Sequence, residues 1–293
     1  MKLIKYLLFI LFIAFNISIL TIIHISNNCI QNTTINIQNK KIPEEFNGYT
    51  IVQISDLHNT EFGKNQSKLI KKIKKENPNA IVITGDLIDK RSQNMENDIN
   101  KITEFTKQIN SIAPTYYVIG NHEAQIPKYQ RNKLLEKLSY SGVIVLANKS
   151  IKLTYGKSQI NLIGINDVDI YYKKTEDCTN EKDMEILENI LSKIKIDEKE
   201  FNILISHRPQ FLDLYSKYKY DLVFTGHAHG GQIRLPFIGG LIAPEQGVFP
   251  KYTDGVHTKE NTSMIISRGI GKSKFPFRFL NRPELIVCKL HNK

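Results

Sequence analysis

The chain predicts a largely parallel α/β body behind an apolar N-terminal helix. Three observations carry this expectation. Short runs rich in Ile, Val and Tyr, of the length of buried strands, recur and stop abruptly at Asp, His or Asn. Stretches with helical spacing of apolar residues lie between them. The first 26 residues are almost uniformly apolar once two lysines have passed.

At the N-terminus, Lys2 and Lys5 precede an apolar stretch from about residue 6 to 26, long enough to span a bilayer at roughly 20 residues. No small-residue A-x-A site follows. Ser26, Asn27 and Asn28, ahead of Cys29, do not form the run that precedes a lipid-modified cysteine. Residues 1–26 are therefore expected to be an uncleaved signal anchor, single-pass in the cell membrane. The lysines on its short side favour an inside N-terminus and an extracytoplasmic body. Polar, Asn-rich residues 27–48 read as a tether, and residues 49–293 as the domain.

Within the domain, "YTIVQISDLH" ends in Asp56 and His58, and "NAIVITGDLID" in Asp86 and Asp89. "TYYVIGNHE" ends in Asn121, His122 and Glu123. "FNILISHRP" leads into His207, and "YDLVFTGHAHGG" into His227 and His229. Helical spacing is found around residues 66–76, 97–112, 131–139 and 181–195. In an alternating α/β body, ligands gather at the carboxyl ends of the strands. That rule brings five distant fragments to one place.

Two carboxylates, four imidazoles and one amide form a mixed O/N set without thiolate, suited to Mn, Fe or Zn. Seven ligands are too many for one tetrahedral ion. A carboxylate shared between two divalent ions fits the count, and such a pair can clamp the attacking and leaving oxygens of a phosphoryl transfer. The three cysteines, Cys29, Cys178 and Cys288, are too far apart for a metal clip and read as packing residues. The formal charge of +11 comes from lysines spread along the chain, with no basic helix or aromatic-interleaved patch, so no nucleic-acid partner is expected.

Taken together, D-L-H, G-D-L-I-D, G-N-H-E, H and G-H-A-H stand in the order found in the calcineurin-like metallophosphoesterase superfamily, which the chain resembles over about residues 50–290. The resemblance implies a four-layer α/β/β/α sandwich with two mixed sheets and a dimetal centre. It further implies that Asp56, His58 and His229 bind the first metal, that Asn121, His207 and His227 bind the second, and that Asp86 bridges them. His122 matches the catalytic histidine and Asp89 the carboxylate that orients it. Lys90 and Arg91 depart from the family's G-D-x-x-D-R-G pattern at that point.

The continuations "GHAHGGQIRLPF" and "SRGIG" resemble a bacterial subgroup of membrane-associated or exported phosphoesterases. The expected reaction is hydrolysis of a phosphodiester or diphosphate, with a lipid-linked or sugar-nucleotide group among the substrates, by a hydroxide bridging the metals. Two alternatives are a phosphomonoesterase or cyclic-nucleotide phosphodiesterase on the same site, and a non-catalytic metal-containing binding protein.

Arg268 in "ISRGIGKS" is the expected substrate-phosphate ligand, and Glu123 a hydrogen-bond partner behind the ligands. The apolar segment 233–244 reads either as a loop packed on the domain or, together with "KSKFPFRF" at 272–279, as a lip that receives an acyl chain or touches the membrane.

Overall fold

A computed structural model describes residues 2–172, 180–272, 275 and 277–293. Cys178 and residues 273, 274 and 276 of the second lip stretch lie outside the described residues.

Two six-stranded mixed sheets pack face to face. The first carries, in spatial order, β1 (Gln31–Gln38), β16 (Glu284–His291), β2 (Thr50–Ile54), β3 (Ala80–Ile83), β4 (Thr115–Tyr117) and β5 (Ile144–Val145). The second carries β14 (Gly255–Lys259), β15 (Thr262–Ile266), β9 (Leu222–Thr225), β8 (Asn202–Ile205), β7 (Ser158–Gly164) and β6 (Lys149–Tyr155). Strands β2 to β5 run parallel, as do β7, β8, β9 and β15. Antiparallel pairing at β16–β2, β14–β15 and β6–β7 makes both sheets mixed.

The strand runs are continuously apolar because both faces are covered. In β3, Ala80 and Val82 face the second sheet while Ile81 and Ile83 face helices. Helices α2 (Ser67–Lys75), α3 (Met95–Asn110) and α5 (Lys128–Tyr140) cover the first sheet through residues such as Leu69, Ile102 and Leu138. Helices α6 (Asn180–Leu191) and α7 (Leu212–Lys217) cover the second through Leu187, Leu191 and Tyr215. The result is the expected four-layer sandwich. Capping sets one boundary: Asn94 accepts the Asn97 N–H at 3.2 Å, with Glu96 and Asp98 in the first turn of α3.

Helix α1 (Lys2–Asn28) is long and apolar enough to cross a membrane, and its apolar window is wholly unburied. The same length and composition suit a signal sequence. Its last turn is tied to the body, where Asn27 and Arg278 exchange two hydrogen bonds of 2.9 Å and Arg282 donates to the Cys29 carbonyl at 3.0 Å.

Residues 27–48 correct the tether expectation. They carry β1, which pairs in parallel with β16 over eight positions, placing Ile35 opposite Cys288 and Ile37 opposite Leu290. The physical reason is an edge strand with one sparse apolar face: Ile35 and Ile37 alternate with Asn and Gln, so the average polarity conceals the period of two. Cys288 is buried between the sheets, as a packing residue should be.

Candidate metal centre and its cleft

Five strands end at the same edge of the sandwich, and the ligand motifs follow them directly: β2, β3 and β4 from one sheet, β8 and β9 from the other. The Gln53 side chain donates to the Thr225 carbonyl at 2.8 Å, locking β2 to β9 across the sheet interface. Loop backbones are stitched together beyond the strands. Asp56 N–H bonds to Gly85, His58 N–H to Asp86 and Gly226 N–H to His207, at 3.1, 3.0 and 2.9 Å.

The backbone there adopts an unusual conformation. Asp56, His58, Asp86, His227 and His229 all have positive φ, between 46° and 65°. Non-glycine residues rarely occupy this region, and such strain clusters at functional sites.

Among the described residues, two donor groups flank Asp86, and a third, of His58, Asp89 and His122, lies on the open side. In the first, the Nε2 atoms of His58 and His229 lie 3.1 Å apart, and Asp56 Oδ1 is 3.9 and 3.4 Å from them. In the second, His207 Nε2 and His227 Nδ1 lie 3.1 Å apart, and Asn121 Oδ1 is 2.9 and 3.0 Å from them. Asp86 Oδ2 stands between the groups, 3.6 Å from His58 Nε2 and 3.4 Å from His207 Nε2.

These atoms fit divalent cations. His207 Nδ1 donates to the Thr84 carbonyl at 2.7 Å, which fixes the tautomer and leaves Nε2 as a lone pair. Burial pushes His58 down to about 3 and His229 well below the ordinary histidine range, keeping both rings neutral in their ligating form. His207 rises to about 10, because the charge of Asp86 outweighs burial. A cation there would displace that proton. Lone pairs packed this closely in a buried site repel unless a positive charge lies among them.

Neighbouring residues aim the ligands. Asp56 Oδ2 accepts the Ser55 hydroxyl at 2.5 Å, and the His227 N–H is shared between Oδ2 and Oδ1 at 3.1 and 3.2 Å, which holds the carboxylate with Oδ1 toward the histidines. Asp86 Oδ1 accepts the His122 N–H at 2.9 Å, leaving Oδ2 between the two groups. Gly226 and Gly120 permit these approaches, since a Cβ there would stand 2.3 Å from Asp56 Oδ2 and from Asp86 Oδ1 respectively.

Glu123 lies behind the ligands, as expected. Its carboxylate accepts the N–H groups of Asp86, Ile88 and Gly120 at 2.9 to 3.0 Å. Glu123→Ala should therefore strand three buried donors and cost at least about 3 kcal/mol. The urea midpoint should fall at unchanged m-value, whereas an unmoved midpoint would show that water serves those groups.

His122 and Asp89 form a pair on the open side. His122 Nδ1 lies 3.1 Å from the Lys90 N–H and 3.3 Å from Asp89 Oδ1. A neutral ring accepts from Lys90 and a charged ring donates to Asp89, so Nε2 keeps its proton in both states. Burial opposes the charged ring, but Asp86 and Asp89 outweigh it and hold His122 above its ordinary range. Burial also raises Asp89, yet its bonds to His122 and Arg91 hold the carboxyl well below the usual range.

Arg268 is the expected site residue that the structure does not bring to the cleft. Its guanidinium donates to Glu284 at 2.8 Å and Gln31 at 3.2 Å, partners supplied by the β1–β16 pair. Instead, Lys90 and Arg91 line a cleft of about 910 Å³ with His122, His227 and His229. Their only sequence signal was their position after Asp89, where the family pattern breaks. Arg208, next to His207, was also missed: it is buried against Asp167 and Asp169 at 2.6 and 2.7 Å and reaches Glu245 on the cleft wall. Ile242, Pro244 and Phe275 add an apolar side to that wall.

Residues 49–231 match the sequence model of a family described as calcineurin-like phosphoesterase. A Bacillus subtilis protein, the uncharacterized metallophosphoesterase YkuE, is 28% identical over 271 residues, covering 91% of this chain and 87% of its own. The Escherichia coli phosphodiesterase YaeI is 23% identical over 244 residues, covering 83% of this chain and 82% of that one. Among solved structures, TT1561 of Thermus thermophilus superposes with a TM-score of 0.49 at 11% identity, over 82% of this chain and 98% of that one.

Proposed function

The chain belongs to the calcineurin-like phosphoesterase family, and from that premise we propose that it hydrolyses a phosphodiester or diphosphate bond with two divalent ions, held to a membrane by α1. The observation that carries this reading is the position of Asp86 Oδ2 between two buried donor groups, in a cleft lined by basic Lys90 and Arg91 and by apolar Ile242, Pro244 and Phe275. Asp56, His58 and His229 would hold one ion, Asn121, His207 and His227 the other, with Asp86 shared.

When bound, Mn, Fe or Zn supplies the Lewis acidity that activates water and neutralises phosphoryl oxygens. The chain's own residues do the rest. His122 presents a protonated Nε2 for the leaving oxygen, and Asp89 stabilises the ring when it is charged. Lys90 and Arg91 offer positive charge to the substrate phosphate. The apolar wall of Ile242, Pro244 and Phe275 favours a phosphorus carrying a second, less polar substituent, which points to a lipid-linked diester or diphosphate.

The test is hydrolysis by the full chain in detergent, comparing bis-(4-nitrophenyl) phosphate with 4-nitrophenyl phosphate before and after chelation. The expected result is a higher kcat/KM for the diester and loss of both activities on chelation, with recovery in Mn²⁺. A higher kcat/KM for the monoester would make the protein a phosphomonoesterase.

A further inference from the structure

We infer that the apolar lip beside the cleft is a second membrane contact, seating the mouth of the metal cleft at the headgroup level of the bilayer that holds α1. The lip is one connected surface. It comprises the hairpin of β10 (Arg234–Leu235) with β11 (Gly239–Gly240), the hairpin of β12 (Ile242–Ala243) with β13 (Gly247–Val248), and residues 277–280. Ile233 bridges Phe279, the Arg234 N–H bonds to the Phe279 carbonyl at 3.0 Å, and the Leu241 N–H bonds to Ile233 at 2.9 Å.

From this surface project Phe237, Ile238, Val248, Phe249, Phe277 and Leu280, all exposed. Phe237, at the tip of the first hairpin, is as open as a residue in an extended chain, at 109%. Six large apolar side chains on one connected surface exceed the scattered apolar exposure normal for a soluble face.

What covers the lip is indicated by what adjoins it. The apolar stretch of α1 is exposed as well, and the helix ends on the same segment: Asn27 is bonded to Arg278 in both directions, and Arg282 holds the Cys29 carbonyl. A bilayer that accepts α1 gives way to its polar interface where Asn27 and Asn28 begin. That level is the level of residues 277–280. The two apolar surfaces are therefore continuous, and one lipid phase covers both. Exposed Lys251, close in the chain to Phe249, and Lys272, in a groove shared with Asn27, Asn28 and His58, supply the positive charge suited to anionic headgroups. Ile242, itself exposed on the second hairpin, also lines the metal cleft, so the cleft opens beside the seated face.

This inference rests on the reading of α1 as a bilayer helix and not on the reaction. The chain contains no tryptophan, so single Phe237→Trp, Phe249→Trp, Phe12→Trp and Tyr140→Trp variants each carry one reporter. Phe12 lies within α1, while Tyr140 is exposed where α5 ends, at the opposite end of the first sheet from the ligands. Full-length variants in vesicles of phosphatidylethanolamine and phosphatidylglycerol with brominated acyl chains are read by fluorescence.

The expected result is blue-shifted emission, largely quenched, for the reporters at 12, 237 and 249, and water-like, unquenched emission at 140. If the reporter at 12 is quenched while those at 237 and 249 behave like that at 140, the anchor stands and the lip inference is overturned. An unquenched reporter at 12 would overturn both.

Discussion

Asp86→Ala should empty both metal sites at once. Asp86 Oδ2 is the atom within reach of both donor groups, 3.6 Å from His58 Nε2 and 3.4 Å from His207 Nε2. On the dimetal reading, its loss would remove the negative charge that offsets two adjacent cations and leave each site with a neutral gap. Metal bound per chain, measured by elemental mass spectrometry after desalting, should fall from about two toward zero, since one carboxylate shared by an ion pair is the arrangement that lets both bind. Turnover should fall by at least about 10³, the upper range for loss of one preorganised electrostatic group in a site that excludes water. Retention of one full equivalent of metal would show that Asp86 serves a single site. Asp86 also anchors the His122 amide through Oδ1, so Asp86→Asn is the necessary companion. It keeps an Oδ1 acceptor, and it should lose metal with little loss of fold.

His122→Ala should do the opposite. The ring belongs to the open side of the centre, paired with Asp89 and in a T-shaped contact with His58 at a centroid distance of 4.4 Å; it groups with His58 and Asp89, apart from the donors around Asp56 and Asp86. Metal content should hold at the wild-type value while kcat drops by roughly 10² to 10⁴, the range for removal of a positioned proton donor. The loss should shrink for a substrate with a good leaving group, because 4-nitrophenolate needs little help from an acid. A loss of equal size for good and poor leaving groups would assign His122 to holding the substrate phosphate instead.

The site was more legible in the sequence than the fold around it. Each ligand motif follows directly on a short apolar strand, and the strand-end rule alone gathers Asp56, Asp86, Asn121, His207 and His227. The division into two sheets does not follow from local periodicity. Ile81 and Val82 are equally apolar, and only their destinations, helices for one and the opposing sheet for the other, separate the layers. Arg268 was misplaced for a related reason. A strand-end arginine looks the same in sequence whether it meets substrate or a buried carboxylate, and Glu284, sixteen positions later, claims it. Lys90 and Arg91 were visible as a break in a pattern, and their place in the cleft depends on the Asp89–His122 pairing, which the chain's order alone does not reveal.

The pairing of β1 with β16 has a consequence for synthesis. The strand that leaves the ribosome just behind α1 must wait for a partner about 250 residues downstream, which at roughly 5–20 residues per second is an interval of tens of seconds. During that time the first edge of the sheet is displayed to other nascent chains, where an apolar strand invites misassembly. The Asn, Gln and Thr residues of β1 give that waiting strand a polar surface, which disfavours such pairing. The polarity that made it look like a tether is also what lets the N-terminus be committed first and paired last.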